Sequence, residues 1–205
     1  MARILRPQYG RPEKSRAQWR RAYEGGAAAG LAGGTWGEDG NIVWGFFDLL
    51  TVPAAGGSPR TLLKPDTASG ERFYRQPWYL PGAKAILFTV GKENGNYNDA
   101  QIAVLALETG KKKILIEGGT CPRYSPSGHL VYGRAGSLLA VPFDLQKLAV
   151  QGQPFPVLDG VFMNAGTGMA AYAISAGGDL VYAPGPVEAG ERLVIWVDRR
   201  GNAMP

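Results

Sequence analysis

The sequence predicts an all-β chain, an incomplete β-propeller of four-stranded antiparallel blades. Three observations carry that reading. One phrase recurs four times: Trp36-Gly-Glu-Asp-Gly-Asn-Ile-Val-Trp44, Tyr79-Leu-Pro-Gly-Ala-Lys-Ala-Ile-Leu-Phe88, Tyr124-Ser-Pro-Ser-Gly-His-Leu-Val-Tyr132 and Ile174-Ser-Ala-Gly-Gly-Asp-Leu-Val-Tyr182. Each copy is an apolar or aromatic residue, a tight turn, and a short apolar strand closed by an aromatic. The turn positions Gly40, Ala83, Gly128 and Gly178 lie 43, 45 and 50 residues apart, close to the period of about 40–45 residues of a propeller blade. The chain also holds 30 glycines and 15 prolines without a collagen period. Such a composition supplies turns, because glycine permits positive φ and proline presets φ.

The elements follow in order. The first unit reads as a strand near Trp36, a turn at Asp39-Gly40, strands Ile42–Phe46 and Leu49–Pro53, and a fourth strand Arg60–Leu63. The second gives Gln76–Leu80, Ala85–Val90, Ala100–Leu107 and Lys112–Ile116. The third gives Cys121–Ser125, His129–Arg134, Ser137–Phe143 and Phe155–Leu158. The fourth gives Met169–Ser175, Asp179–Ala183 and Arg192–Val197. Units of about 34–63, 74–116, 120–158 and 168–205 thus form one partial propeller over residues 34–205. Glycine-containing turns at this spacing make antiparallel hairpins. The recurring aromatics Trp36, Tyr79, Tyr124, Trp44, Phe88, Tyr132 and Tyr182 are expected to pack between blades.

Residues 1–33 stand apart as a basic leader, rich in Gly and Ala at its end and expected to be disordered or foreign to the fold. Residues 1–34 carry seven basic and two acidic side chains, whereas the other 171 residues carry 15 of each. The net charge of +5 therefore belongs to the leader. A neutral folded part argues against specific nucleic-acid binding. No apolar run reaches the roughly 20 residues of a membrane span. Cys121 is alone, so the chain holds no internal disulfide, and the compartment stays open.

Gly34-Thr-Trp-Gly-Glu-Asp-Gly-Asn-Ile-Val, Val52-Pro-Ala-Ala-Gly-Gly-Ser-Pro-Arg60, Gly119-Thr-Cys-Pro-Arg-Tyr-Ser-Pro-Ser-Gly-His-Leu-Val-Tyr132 and Leu139-Ala-Val-Pro-Phe-Asp144 resemble the TolB-like, WD-repeat-like propellers found C-terminal to bacterial serine/threonine protein kinases. The resemblance spans residues 34–205. It implies a larger, typically six-bladed parent, a sensor or docking role, and the option of an extracytoplasmic location. No kinase motif accompanies it: the chain has no glycine-rich phosphate loop, no His-Arg-Asp and no Asp-Phe-Gly.

Ligands of a propeller gather at the channel mouth, beside the innermost strands. The loops feeding those strands place Arg75 and Arg123 on or beside them, with Glu71, Arg72 and Asn164 just upstream. Two arginines on one channel can clamp a carboxylate or phosphate. The competing reading pairs them with Glu71 or Glu117. His129, the single histidine, falls in a turn, a poor place for a catalytic base. Asn94-Gly-Asn-Tyr-Asn-Asp99 offers oxygen ligands to calcium but lacks the spacing and terminal Glu of an EF-hand loop, and reads as a polar hairpin tip.

The sequence thus points to a non-catalytic module binding a protein or small anionic ligand. The alternative is a metal-dependent hydrolase of esters, lactones or phosphotriesters, with calcium or another divalent ion in the channel. Catalytic and metal-binding residues are not identifiable at this stage. Open blade edges also predict a homo-oligomer, most simply a dimer.

Overall fold

The computed structural model describes residues 33–188 and two short strands, Trp196–Val197 and Ala203–Met204. The basic leader and most of the third strand expected in the fourth unit lie outside the described residues.

Two four-stranded antiparallel sheets and one of five strands follow one another along the chain. The first joins β1 (Gly34–Trp36), β2 (Asn41–Gly45), β3 (Leu49–Pro53) and β4 (Arg60–Leu63) in that order. The second joins β5 (Glu71–Tyr79), β6 (Ala85–Lys92), β7 (Gln101–Ala106) and β8 (Lys112–Glu117). The third joins β9 (Thr120–Ser125), β10 (His129–Arg134) and β11 (Ser137–Asp144), with the short β12 (Ala149–Val150) and then β13 (Phe155–Asp159) both on β11. Sequential pairing of neighbouring strands is the meander of a blade.

The fourth unit is more fragmented. β14 (Met163–Asn164) pairs antiparallel with β15 (Met169–Ala170) and parallel with β18 (Val187–Glu188). β16 (Tyr172–Ile174) and β17 (Leu180–Tyr182) form the hairpin that carries the fourth copy of the repeated phrase. The architecture is an incomplete β-propeller.

Most strands lie where the sequence places them, but β5 starts at Glu71, five residues before the expected Gln76. Its pairing with β6 slips between Arg75 and Trp78, where Gln76 takes φ 49°. That bulge divides the strand and disguises its first half. The equivalent positions Gly33 and Cys121 also have left-handed backbone, φ 97° and 54°. The innermost strands β5 and β9 therefore bend at the same place, and Gly33 takes the same backbone just before β1.

The core is the set of faces between sheets. Tyr74, Ile86, Phe88 and Leu105 pack with Val43 and Leu49 between the first two units. Leu87, Ile102 and Val104 pack with Leu130, Tyr132 and Val141 between the second and third. Cys121, Val131 and Leu138 pack with Met163, Ala170 and Tyr172 toward the fourth. The strand-closing aromatics Trp44, Phe88 and Tyr132 are buried, as expected. Tyr182 is 40% exposed, and so departs from that expectation.

Close approach of blades fixes some glycines. A Cβ on Gly45 would lie 2.4 Å from the Tyr74 carbonyl oxygen, where β2 meets β5. That oxygen is backbone and cannot swing aside. Gly45→Ala should therefore destabilise the fold by about 1–3 kcal/mol, the usual penalty of overpacking. Urea unfolding of the variant against wild type measures it, and an unchanged midpoint would refute this account of the interface.

Candidate functional site

The bulges of β5 and β9 leave two ends with different chemistry. Upstream lies the enclosure of Arg75; downstream lie the aromatics that precede each first turn and, beyond Cys121, Arg123.

Arg75 projects from β5 into an aromatic enclosure. Its guanidinium carbon stands 4.3 Å from the Phe73 ring centroid, 5.7 Å from Phe46 and 5.8 Å from Tyr97. One terminal N–H donates to the Tyr97 hydroxyl, and its Nε is buried with no hydrogen-bond partner. Arg123, on β9, stacks 4.7 Å over Trp78 of the neighbouring unit and donates to the Pro122 carbonyl at 2.8 Å. Both arginines are half-buried.

Neither has a carboxylate partner among the described residues, where the ion pairs are Lys112–Glu71 and Lys147–Asp144. The carboxylates that could have neutralised them are engaged elsewhere. Glu71 is buried and accepts from Lys112, from the Tyr74 hydroxyl at 2.6 Å and from the Asp66 N–H at 3.0 Å. Glu117 accepts from the Gln101 amide at 2.9 and 2.8 Å. The pairing of Arg75 or Arg123 with Glu71 or Glu117 is thus replaced by two separate contacts.

The other sequence candidates scatter. Arg72 is exposed on β5. Asn164 closes a tight loop, accepting from the Thr167 N–H at 2.9 Å and the Thr167 hydroxyl at 3.1 Å. It lines a cleft of about 90 Å³ that also takes in Tyr97 and Arg134. Tyr97, the aromatic in the Asn94–Asp99 tip, thus joins the cleft at Asn164 to the enclosure of Arg75. In that tip the Asp99 carboxylate accepts from the Asn94 and Asn96 amides, at 2.8 and 3.2 Å. His129 stands in its turn, its Nδ1 within 3.1 Å of the Ser127 hydroxyl.

Cys121 and Gln76 tie the upstream end together. The Cys121 Sγ accepts from the Ala170 N–H at 3.1 Å, and the Gln76 amide donates to the Thr167 carbonyl at 3.0 Å. Gln76 Oε1 is buried and unpaired. Burial pushes the Cys121 thiol up, against the pull of Arg123. A thiol held protonated and buried is a poor nucleophile.

At the downstream end Tyr79, Tyr124 and Ile174 pack against the clusters between sheets, as expected of the pre-turn residues. With Trp36 and Trp78 they also line one cavity of about 520 Å³. Trp36 is 43% exposed. Each residue occupies the same place in its unit, so all four repeats deliver a side chain to the same opening.

No known protein family and no curated protein matches the chain. Solved structures do match. Over 85% of this chain and 58% of its own length, a calcium-binding protein, regucalcin, from Agrobacterium tumefaciens superposes with a TM-score of 0.52 at 18% identity. A gluconolactonase-like structure gives 0.55 at 13% identity over 76% of this chain and 57% of its own. A luciferin-regenerating enzyme gives 0.55 at 12% identity, over 75% and 55%. The chain therefore spans a little over half the length of these β-propellers, and the likeness is one of fold.

Glu71 offers a direct test of the contact map. Burial raises its carboxyl pKa, but hydrogen bonds from Lys112, Tyr74 and Asp66 and the charge of Lys112 outweigh that, holding it below 4.5. A depressed folded pKa gives stability that is present above the unfolded value and is lost as pH falls through the folded one. Lys112→Met should cost about 3 kcal/mol at pH 7 by leaving Glu71 buried and unpaired. Adding Glu71→Gln should restore part of it. Chemical unfolding from pH 7 to pH 3 reads both effects; a single variant as stable as wild type would discard the pair.

Proposed function

We propose that this chain is a non-catalytic propeller module that binds a small anionic ligand on its channel wall, as a segment of a larger TolB-like propeller of the kind attached to bacterial kinases. One observation carries the reading. Arg75 and Arg123 are half-buried, held in place by aromatic stacking, and lack a carboxylate counter-charge among the described residues. Guanidinium groups arranged in this way suit a carboxylate or phosphate, which would supply the missing charge and hydrogen bonds.

The names of the structural neighbours favour a second reading, a metal-assisted hydrolase. The residues present do not fit it. Among the described residues no three His, Cys, Asp or Glu side chains come together. Calcium needs a shell of carboxylate, amide and backbone oxygens, whereas the candidate site presents Arg75 and Arg123. Glu71 is turned into its contact with Lys112 and Tyr74. The binding reading therefore stands first, and no catalytic step is assigned.

The test is a melting-temperature screen of phosphate, citrate, succinate and sugar phosphates. At least one should raise Tm in a saturable way. Arg75→Ala and Arg123→Ala should each weaken that ligand about tenfold to a hundredfold, since hydrogen bonds to charged groups contribute about 1.5–3 kcal/mol each. Elemental analysis should find less than stoichiometric metal. Wild-type affinity in both variants, or one tightly held divalent ion per chain, would overturn the reading.

We also propose that a second copy of the chain covers the fourth unit. All three residues of β17 are exposed, with Leu180 at 38%, Val181 at 66% and Tyr182 at 40%. Such an open apolar strand is an association surface. Light scattering at micromolar concentration should give a dimer, shifted toward monomer by Val181→Lys. A wild-type monomer would dismiss the idea.

A further inference from the structure

The downstream cavity has a composition of its own. Trp36, Trp78, Tyr79 and Tyr124 line it with Ile174, and among the described residues Glu38 is the one charged residue in its lining. No Lys, Arg or His side chain of the described residues contributes to that lining. Aromatic rings present negative faces to cations, and an enclosure of several rings recognises quaternary ammonium groups. One ring already serves a cation: Arg123 stacks over Trp78, although Arg123 does not itself line the cavity.

The rings are held in position. Tyr79 lies against the backbone of Gly37, where an added Cβ would come within 2.7 Å of its ring. Burial and the Asp39 carboxylate push the Tyr79 hydroxyl up to about 12, so it stays neutral. Asp39 stands outside the lining, beside Arg60 and Lys84. The cavity thus combines four aromatic side chains with the Glu38 carboxylate, and its volume of about 520 Å³ admits a trimethylammonium head with room to spare.

We propose that this cavity is a cation-binding site for a quaternary or methylated ammonium group, separate from the anion reading of Arg75 and Arg123. A free choline-like molecule and a methylated lysine side chain present the same chemistry, and the test distinguishes them. Burying only Ile174-like surface would favour any apolar ligand; the carboxylate and four rings favour a soft, weakly hydrated cation.

The experiment is calorimetric titration of the full chain with choline chloride at constant ionic strength, beside 3,3-dimethylbutan-1-ol, its neutral isostere, and a trimethyllysine peptide. Choline should bind at least about tenfold more tightly than the alcohol. Trp36→Ala and Tyr124→Ala should each weaken choline about tenfold, and Glu38→Gln about two- to fivefold. Melting curves confirm that the variants fold. If Trp36→Ala does not fold, Tyr124→Leu, which keeps an apolar side chain and removes the ring, gives the same reading. Tighter binding of the peptide than of choline would assign the site to a protein partner and the reverse to a small molecule, both within the proposal. Equal binding of alcohol and choline, or no choline binding at 20 mM, would overturn it.

Discussion

A left-handed residue in the innermost strand sets the geometry on which both ends of the channel depend. Gly33, Gln76 and Cys121 occupy the same position in three successive units, with φ of 97°, 49° and 54°. For the two side-chain-bearing residues this backbone carries a cost of order 1–3 kcal/mol, so their surroundings must hold them there. They do: Cys121 is fastened by its own N–H donating to the Thr89 hydroxyl at 3.0 Å, by the Ala170 N–H and by the Tyr172 hydroxyl on its carbonyl. Gln76 is fastened to Thr167. These contacts bind the second, third and fourth units to one another at the bend itself.

The bend explains why one strand carries two chemistries. On β5, Arg75 precedes Gln76 and stays in the Phe46, Phe73 and Tyr97 enclosure, while Trp78 and Tyr79 follow it and reach the cavity downstream. On β9 the order differs, because Arg123 comes after Cys121 and stacks on Trp78. The fourth unit is drawn in through Gly168, where an added Cβ would come within 2.2 Å of the Tyr97 ring. A loop that the sequence marks merely as glycine-rich is therefore the contact that closes the upstream end.

The repeated phrase made the strands and turns legible: β3, β4 and β10 match their expected bounds. Recurrence reports a shared environment without saying which environment. It served equally for Trp44, Phe88 and Tyr132, which are buried, and for Trp36, Tyr79 and Tyr124, which share an open cavity. The strand-closing set sits mid-sheet and the pre-turn set at the strand end, a difference of height along the channel that periodicity does not encode. The start of β5 was hidden because the bulge at Gln76 breaks the alternation that marks a strand. The partner of Glu71 was hidden for another reason: Lys112 lies 41 residues away in a different strand.

Charge placement then distinguishes the two sites. Glu71 and Glu117 are spent on Lys112 and Gln101, so the Arg75 and Arg123 guanidinium groups keep no carboxylate partner among the described residues. Glu38 is the charged group among the described residues that line the downstream cavity. Residues 35–205 balance at 15 basic and 15 acidic side chains. A neutral domain is a poor match for a polyanion taken as a whole. One whose charged groups are set singly among aromatic rings suits small ions read individually, each by a few stacked or hydrogen-bonded groups. The aromatic residues serve both sites, fixing the arginines by stacking and lining the cavity downstream; the repeat that builds the blades supplies Trp36, Tyr79 and Tyr124 to that cavity, while Phe46, Phe73 and Tyr97 around Arg75 lie outside it.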